Sequence, residues 1–364
     1  MNLIILGATA RAAAWSAVRA GMTPFAADFF NDRDLQAVAT SVRISSSFTS
    51  AEILSAIEGF PDAPWIFTGP YENEPDLIER LRLNRRLMGI AGASLTSVRN
   101  PRTFADRFIA FGLRVPEVHT GDSTPLPKDG SWLRKPIASA GGIGVEHLVD
   151  DRELPGPLYY QKFIAGLSLS AIFIGVRTGA ILQGVTRQLM GIPGNPFGYR
   201  GSIGPWPISS EVRSQIQTLG TTLGREFSLV GMFGIDLILD ADAKIWPVEI
   251  NPRYTASVEV LELAHQRSLL TAHRRACEGL PIDETIPSAT RFVGKEVLFA
   301  TKPGVFEETV EDAIDPWKVP ELADIPEFGT RFKAGEPVMT LLAEASTLEE
   351  CQRALSERRA RRRF

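Results

Sequence analysis

Along the chain, apolar residues fall into short runs separated by helical periodicity, from the first residues onward. Residues 2–6 (N-L-I-I-L) meet Gly7-Ala8-Thr9-Ala10-Arg11 and then an Ala-rich pattern to Gly21. That order is strand, tight turn, helix, the opening of a Rossmann-like unit. Thr23–Asp28 reads as a second strand ending in an acid. Pro64–Thr68 reads as another, running into Gly69-Pro70-Tyr71-Glu72-Asn73-Glu74. Parallel sheets bind ligands at the carboxyl ends of their strands. The loops Gly7–Arg11 and Gly69–Glu74, with Asp28, are therefore expected to line a crevice, making Gly7, Tyr71 and Glu72 candidate substrate contacts. Only Gly7 stands where a dinucleotide site would want three glycines, so no NAD site is expected.

Val98 to Pro116 reads as one amphipathic helix that stops at Gly112. Trp132–Val145 is a strand delivering Lys135 into a loop of small residues. Leu158–Val176 reads as strand, short linker, strand. Gly184–Pro207 is dense in glycine and proline and reads as a long irregular stretch, a kind of segment that is often functional. Its Arg187, Tyr199 and Arg200 are candidate acceptor contacts. Ile208–Phe227 is an amphipathic helix. Phe233–Leu239 and Ile245–Ile250 are apolar runs around an Asp-Ala-Asp-Ala-Lys turn, the pattern of a hairpin. Val260–Leu280 reads as one further helix, 294–300 as a strand, and the remainder as a small β unit closed by a basic helix, Leu348–Phe364, with a solvated tail.

Bulk properties narrow the picture. The 364 residues predict two or three domains. Apolar residues make up 44% and charged residues 23%, as in soluble globular proteins. A net charge of −4 gives no reason to expect nucleic acid or an anionic membrane as partner. No apolar run reaches the roughly 20 residues of a membrane span, and no basic segment opens a signal peptide. Two cysteines and four scattered histidines support neither a disulfide framework nor a zinc site. A cytoplasmic protein is expected.

Three polar residues interrupt the central hairpin. Glu249 and Asn251, two apart on a strand, share a face, and Asp236 lies on the facing strand. A buried acid is costly unless something pairs with it or binds it. Two carboxylates and an amide suit Mg²⁺ holding nucleotide phosphates, with Mn²⁺ as an alternative ion. Arg253 follows as a neutralising cation. In the loop after Lys135, the small residues Ser139, Ala140, Gly141, Gly142 and Gly144 let backbone N–H groups approach phosphate oxygens.

The segment E-I-N-P-R with an acid thirteen residues upstream resembles the metal-binding segment of the ATP-grasp superfamily, and K-P-x₇-G resembles its phosphate-covering loop. The resemblance implies ATP in the cleft. Gln161 stands at the family's first adenine-side acid, Phe163 and Ile164 in the linker that offers main-chain groups to adenine, and Ser168 where an acid usually holds the ribose. Arg99 or Arg102 stands near the position of a phosphate-binding lysine. Lys135 and Arg253 are the implied catalytic cations.

The implied fold is α/β (α+β): a Rossmann-like domain over 1–97, an ATP-grasp fold over 98–285, and a small C-terminal β unit over 286–364. The implied reaction joins a small-molecule carboxylic acid to an amine or amino acid through an acyl phosphate. Within the superfamily the chain most resembles carboligase-like proteins related to biotin carboxylase, a group akin to a tyramine–glutamate ligase. One expectation from this is a role in making a one-carbon-carrier cofactor; a homodimer is another. The alternatives are a biotin-type carboxylase and a catalytically silent ATP-binding module.

Overall fold

In the computed structural model, which describes residues 1–45, 49–121, 125–152, 154–310, 315–362 and 364, three main sheets carry the fold. The first is parallel, with strand order β3-β2-β1-β4, built from β1 (Asn2–Leu6), β2 (Thr23–Asp28), β3 (Thr40–Arg43) and β4 (Trp65–Phe67). Leu3–Leu6 are wholly buried, as expected for parallel strands covered on both faces. Helices α1 (Arg11–Arg19), α2 (Arg33–Gln36), α3 (Ser50–Ala56) and α4 (Pro75–Asn84) belong to this unit.

Where one helix was expected from Val98, two meet: α5 (Gly92–Arg99) and α6 (Pro101–Ala110). Pro101 keeps Asn100 out of the helical region. Asn100 is extended (φ −85, ψ 115), and its side chain caps α6 by accepting from the N–H groups of Arg102 and Thr103. The break leaves Arg99 at the last position of α5.

A small antiparallel sheet of order β5-β8-β6-β7 follows, from β5 (Val118–His119), β6 (Trp132–Pro136), β7 (Glu146–His147) and β8 (Leu158–Lys162). The large sheet begins with β9 (Leu167–Val176), β10 (Gly179–Ile192) and β11 (Asn195–Gly204). The stretch from Gly184 to Pro207 is therefore mostly a long hairpin, not irregular. Its glycines permit close strand approach: a Cβ on Gly201 would lie 2.1 Å from the Lys295 carbonyl oxygen on the neighbouring strand.

After α7 (Ser210–Glu226), β12 (Gly231–Leu239) and β13 (Ile245–Asn251) form the expected hairpin. Asp240 holds its turn, accepting from the N–H groups of Asp242 and Lys244. Phe233, Ile235 and Leu237 face the main core, and Ile172, Ile174 and Met232 face a second one.

The helix expected over Val260–Leu280 is also two, α8 (Ala256–His265) and α9 (Leu269–Cys277). Gln266 turns left-handed (φ 52), and Ser268 caps α9 through the Thr271 N–H. The C-terminal strands are not a sheet of their own. Strand β14 (Phe292–Phe299) pairs with β11. A short pair, β15 (Gly304–Val305) with β17 (Arg331–Phe332), sits beside it. Strands β16 (Leu322–Ala323) and β18 (Pro337–Ala345) complete the eight-stranded order β13-β12-β9-β10-β11-β14-β18-β16. The sheet thus crosses the expected boundary at residue 285.

Helix α10 (Leu348–Arg361) buries Cys351 and Leu355. Its basic end is partly ion-paired, Arg358 with Glu321, Arg359 with Glu296 and Arg362 with Glu308, while Arg361 stays 77% exposed. Arg363 of the expected basic tail lies outside the described residues. Among the described residues no helix is long and apolar enough to cross a membrane.

His273 on α9 ties the units together. Its Nδ1 accepts from the Met232 N–H at 2.7 Å, and its Nε2 lies 3.2 Å from the Met88 carbonyl oxygen. Burial pushes its pKa down to about 4. The unfolded chain binds a proton near pH 6.5 that the fold refuses, so this histidine's contribution to stability is full above 6.5 and lost as pH falls toward 4. Buried Asp28 and Asp34, raised to about 6 by desolvation, act in the opposite sense. The expected result is specific to the residue: the stability gap between wild type and His273→Gln narrows between pH 6.5 and 4. Urea midpoints at four pH values check it.

Candidate active site

Residues of α5, α6, the small sheet, the β12–β13 end of the large sheet and the start of α8 enclose a cleft of about 420 Å³. Its apolar lining includes Val98, Phe104, Leu133, Ile164, Ile238 and Val248. Lys135 lines the same cleft, opposite Tyr159 in the β6–β8 register. Its Nζ donates to Gln161 Oε1 at 3.1 Å and sits 5.4 Å from the Tyr159 ring centre. Burial alone would lower the lysine's pKa, but Tyr159, Glu249 and Asp236 hold it above the ordinary value. It is a cation held in place by the anions it faces.

The glycine loop turns back over the cleft. The Gly141 carbonyl accepts from the Tyr199 N–H at 2.9 Å, and the Gly142 carbonyl accepts from Asn195 Nδ2 at 2.8 Å. Gly142 has φ 73, and a Cβ there would fall 1.9 Å from the Phe197 carbonyl oxygen, so only glycine fits. Ser139 Oγ donates within the loop to the Ile143 carbonyl at 2.6 Å.

Asp236 and Glu249 are directly opposed across β12 and β13, beside a bulge after Asp236. Burial first, and the Glu249 charge second, push the Asp236 carboxyl up to about 6. Asn251 Nδ2 donates to Asp236 Oδ2 at 3.0 Å. Burial works against the Glu249 charge too, but Arg99, Lys135 and Arg253 outweigh it and hold that carboxyl below its usual range. Two carboxylates forced together, with an amide oxygen alongside, are a hard-oxygen donor set that fits a small divalent cation. Among the described residues no group of three or more His, Cys, Asp or Glu could hold a metal. An ion here would take its remaining ligands from a nucleotide and water.

Arg253 Nε donates to Glu72 Oε1 at 2.7 Å, and its Nη2 donates to Asn251 Oδ1 at 3.0 Å. Glu72 therefore acts from behind the cleft, by fixing Arg253. Tyr199 reaches the cleft, with its hydroxyl 2.8 Å from Ser202 Oγ. Ser168 Oγ donates to Gln188 Oε1 at 2.7 Å on the same wall.

The other expected substrate contacts lie elsewhere. Gly7 and Tyr71 are buried in the N-terminal unit, where the chain must close over its parallel sheet. Arg187 stacks on Trp206, 5.2 Å from its ring centre, and Arg200 pairs with Glu296. None of these four lines the cleft. Of the two candidate arginines, Arg99 enters the cleft and binds Glu249, whereas Arg102 is 74% exposed and pairs with Asp106 one turn on. Tyr159 and Gln188 escaped the sequence reading, whereas Asn73 falls within the Gly69–Glu74 loop expected at a crevice. Tyr159 was within reach, since it shares a strand face with Gln161.

Residues 99–257 match a family model described as an ATP-grasp domain. None of the curated proteins compared matches the chain in sequence. Solved structures resemble it over nearly its whole length. The biotin carboxylase domain dimer of a 2-oxoglutarate carboxylase from Hydrogenobacter thermophilus, in complex with MgADP, ADP and bicarbonate, gives a TM-score of 0.74 at 14% identity. That match covers 97% of this chain and 89% of that one. An L-amino acid ligase from Bacillus licheniformis gives 0.70 at 16% identity, covering 98% and 96%. An N5-carboxyaminoimidazole ribonucleotide synthetase from Thermotoga maritima gives 0.69 at 15% identity, covering 99% and 98%. At these identities the likeness is one of fold.

Proposed function

We propose that this chain, whose residues 99–257 form an ATP-grasp domain, is an ATP- and Mg²⁺-dependent ligase that joins a small-molecule carboxylic acid to an amine or amino acid. The observation that carries the reading is one cleft lined together by Asp236, Glu249 and Asn251, by Lys135 and the glycine loop, and by apolar residues that form a slot for adenine in this reading. In this reading the slot and the linker residues Phe163 and Ile164 take adenine, and the Ser168–Gln188 pair lies toward the ribose. Lys135 and the loop N–H groups take phosphate oxygens. Asp236, Glu249 and Asn251 would hold Mg²⁺, which supplies charge neutralisation between phosphates when bound. Arg253, locked by Glu72, presents a fixed cation to the substrate carboxylate as it attacks the terminal phosphate. Catalysis then comes from position and charge, with no covalent nucleophile on the protein.

The test is ADP release with a panel of acids and amines, products being read by mass spectrometry. ADP release that requires both an acid and an amine supports the ligase. Release that requires bicarbonate instead, or nucleotide binding without turnover under any pairing, overturns it.

Two further results are expected here. Lys135→Met weakens nucleotide binding by about tenfold or more, the worth of one charge-assisted contact, without unfolding the protein; calorimetric titration with a non-hydrolysable ATP analogue checks it. Hydrogen exchange at residues 139–144 slows when Mg²⁺ and the analogue are added, because glycines are costly to order and the ligand must supply the ordering energy. Unchanged exchange and unchanged affinity in Lys135→Met would make the loop an ordinary hairpin turn.

A further inference from the structure

The carboxylate on which the metal assignment rests already has a cation on it. Arg99 Nη1 donates to Glu249 Oε1, while Nη2 donates to Asn73 Oδ1 at 2.7 Å and to the Ser139 carbonyl at 3.2 Å. One planar fork thus joins the metal strand, the N-terminal unit and the first residue of the glycine loop. Asn73 Nδ2 donates to the same Ser139 carbonyl at 3.2 Å, closing the triangle. The remaining donor, Arg99 Nε, is buried without a hydrogen-bond partner. Burial alone would weaken the guanidinium's hold on its proton; the charges of Glu249 and Glu72 more than restore it.

We propose that Arg99 is a resident counter-cation of the metal site. In the nucleotide-free protein it neutralises Glu249 and competes with the divalent ion. When ion and nucleotide arrive together, it passes from Glu249 to phosphate oxygens, using its free Nε as well. The proposal rests on the reading of Asp236, Glu249 and Asn251 as the metal set.

Three features of the geometry support it. An ion close enough to ligate Glu249 would stand against the positive guanidinium, so the two cannot share the carboxylate without mutual repulsion. The helix break at Asn100-Pro101 fixes the backbone that aims Arg99, so the competing charge is built into the chain rather than supplied by a flexible surface residue. The guanidinium cannot give up its proton in a protein, so it can leave Glu249 only by moving. That movement also removes one of the two donors on the Ser139 carbonyl, leaving Asn73 alone to hold it, which couples arrival of the ion to the position of the glycine loop. Arg99 is in this sense a positioning residue for the metal and the loop.

The test is Mn²⁺ titration of nucleotide-free protein, followed by electron paramagnetic resonance, on the wild type, Arg99→Gln, Arg99→Lys, Arg102→Gln and Glu249→Gln. Arg99→Gln is expected to bind Mn²⁺ about tenfold more tightly than wild type, because a partly buried competing charge has gone. It should also bind a non-hydrolysable ATP analogue more weakly and exchange amide hydrogens faster at residues 139–144. Arg99→Lys should fall between, a point charge without the fork, and surface Arg102→Gln should match wild type. Circular dichroism confirms that each variant is folded. Glu249-dependent Mn²⁺ binding that is unchanged or weaker in Arg99→Gln overturns the counter-cation role alone. Mn²⁺ binding that is indifferent to Glu249→Gln overturns the metal assignment and this inference with it.

Discussion

Replacing Glu249 by Gln is expected to leave a folded protein that no longer turns over ATP. Gln keeps the shape and the side-chain oxygen but removes the charge. In the proposed site that charge, together with Asp236 directly opposite it in the strand register, would neutralise a bound cation. At a metal site the loss is several kcal/mol of transition-state stabilisation, or about a thousandfold in turnover. The fold should survive because Glu249 is a third exposed and sits at the open end of β13, outside the apolar clusters. Lys135 and Arg253 still face the Asp236 carboxylate, and the vacated position is open to water, so stability falls modestly at most. ADP release under saturating Mg²⁺ and ATP, alongside thermal unfolding, checks both halves. A folded Glu249→Gln protein with wild-type ADP release would remove the metal set from the mechanism.

That Asp236, Glu249 and Asn251 could be placed together from the sequence follows from locality. Asp236, Glu249 and Asn251 lie on two strands joined by a short turn, so period-two alternation and hairpin pairing bring them together with no knowledge of the rest of the chain. Lys135 and its loop are a second local unit. The parallel N-terminal sheet was equally legible, because its strands are bounded by Gly, Pro and Asp.

The failures have one origin. Glycine and proline between 184 and 207 read as breaks in the sequence pattern. In the fold Gly198, Gly201 and Gly204 are places where strands β10, β11 and β14 approach too closely for a side chain. Helix continuity past Asn100 and Gln266 was overestimated because the apolar period persists across both breaks, while a capping Asn and a left-handed residue redirect the axis. The crevice expected around Gly7 and Tyr71 is closed by the chain's own packing, which no local pattern encodes.

Most remote from sequence is the charge cluster that ties the two ends of the chain together. Arg11 is 2% exposed and 248 residues from its partner Glu259. Its guanidinium binds both Glu259 oxygens, reaches Asp324 at 3.0 and 3.2 Å, and lies 3.5 Å from Asp34. Lys295 Nζ completes the group, donating to Glu259 Oε2 at 3.0 Å. The turn after β1, the helix α8 beyond β13 and the C-terminal strands are thereby fixed to one another.

Arg11→Met is accordingly expected to be the most destabilising single change proposed for this chain. Met fills much of the volume but leaves Glu259, Asp324 and Asp34 facing one lysine. Removing one partner of a buried ionic group costs about 3–5 kcal/mol, because the remaining charges are stranded. Urea unfolding at pH 8 should register that loss. The pH dependence separates stranded charge from lost packing. In the wild type, burial would raise the Glu259 and Asp324 carboxyls, yet Arg11 overcomes it and holds both low. Groups held low contribute stability that is present above their ordinary pKa and lost as pH falls through the folded value. Without Arg11 the same burial pushes them up, and a raised carboxyl gains stability as pH falls. The deficit of Arg11→Met should therefore shrink between pH 8 and pH 5. A deficit independent of pH would mean that Arg11 acts through packing of its stem, and a deficit below about 1 kcal/mol would put it in the range of an exposed ion pair.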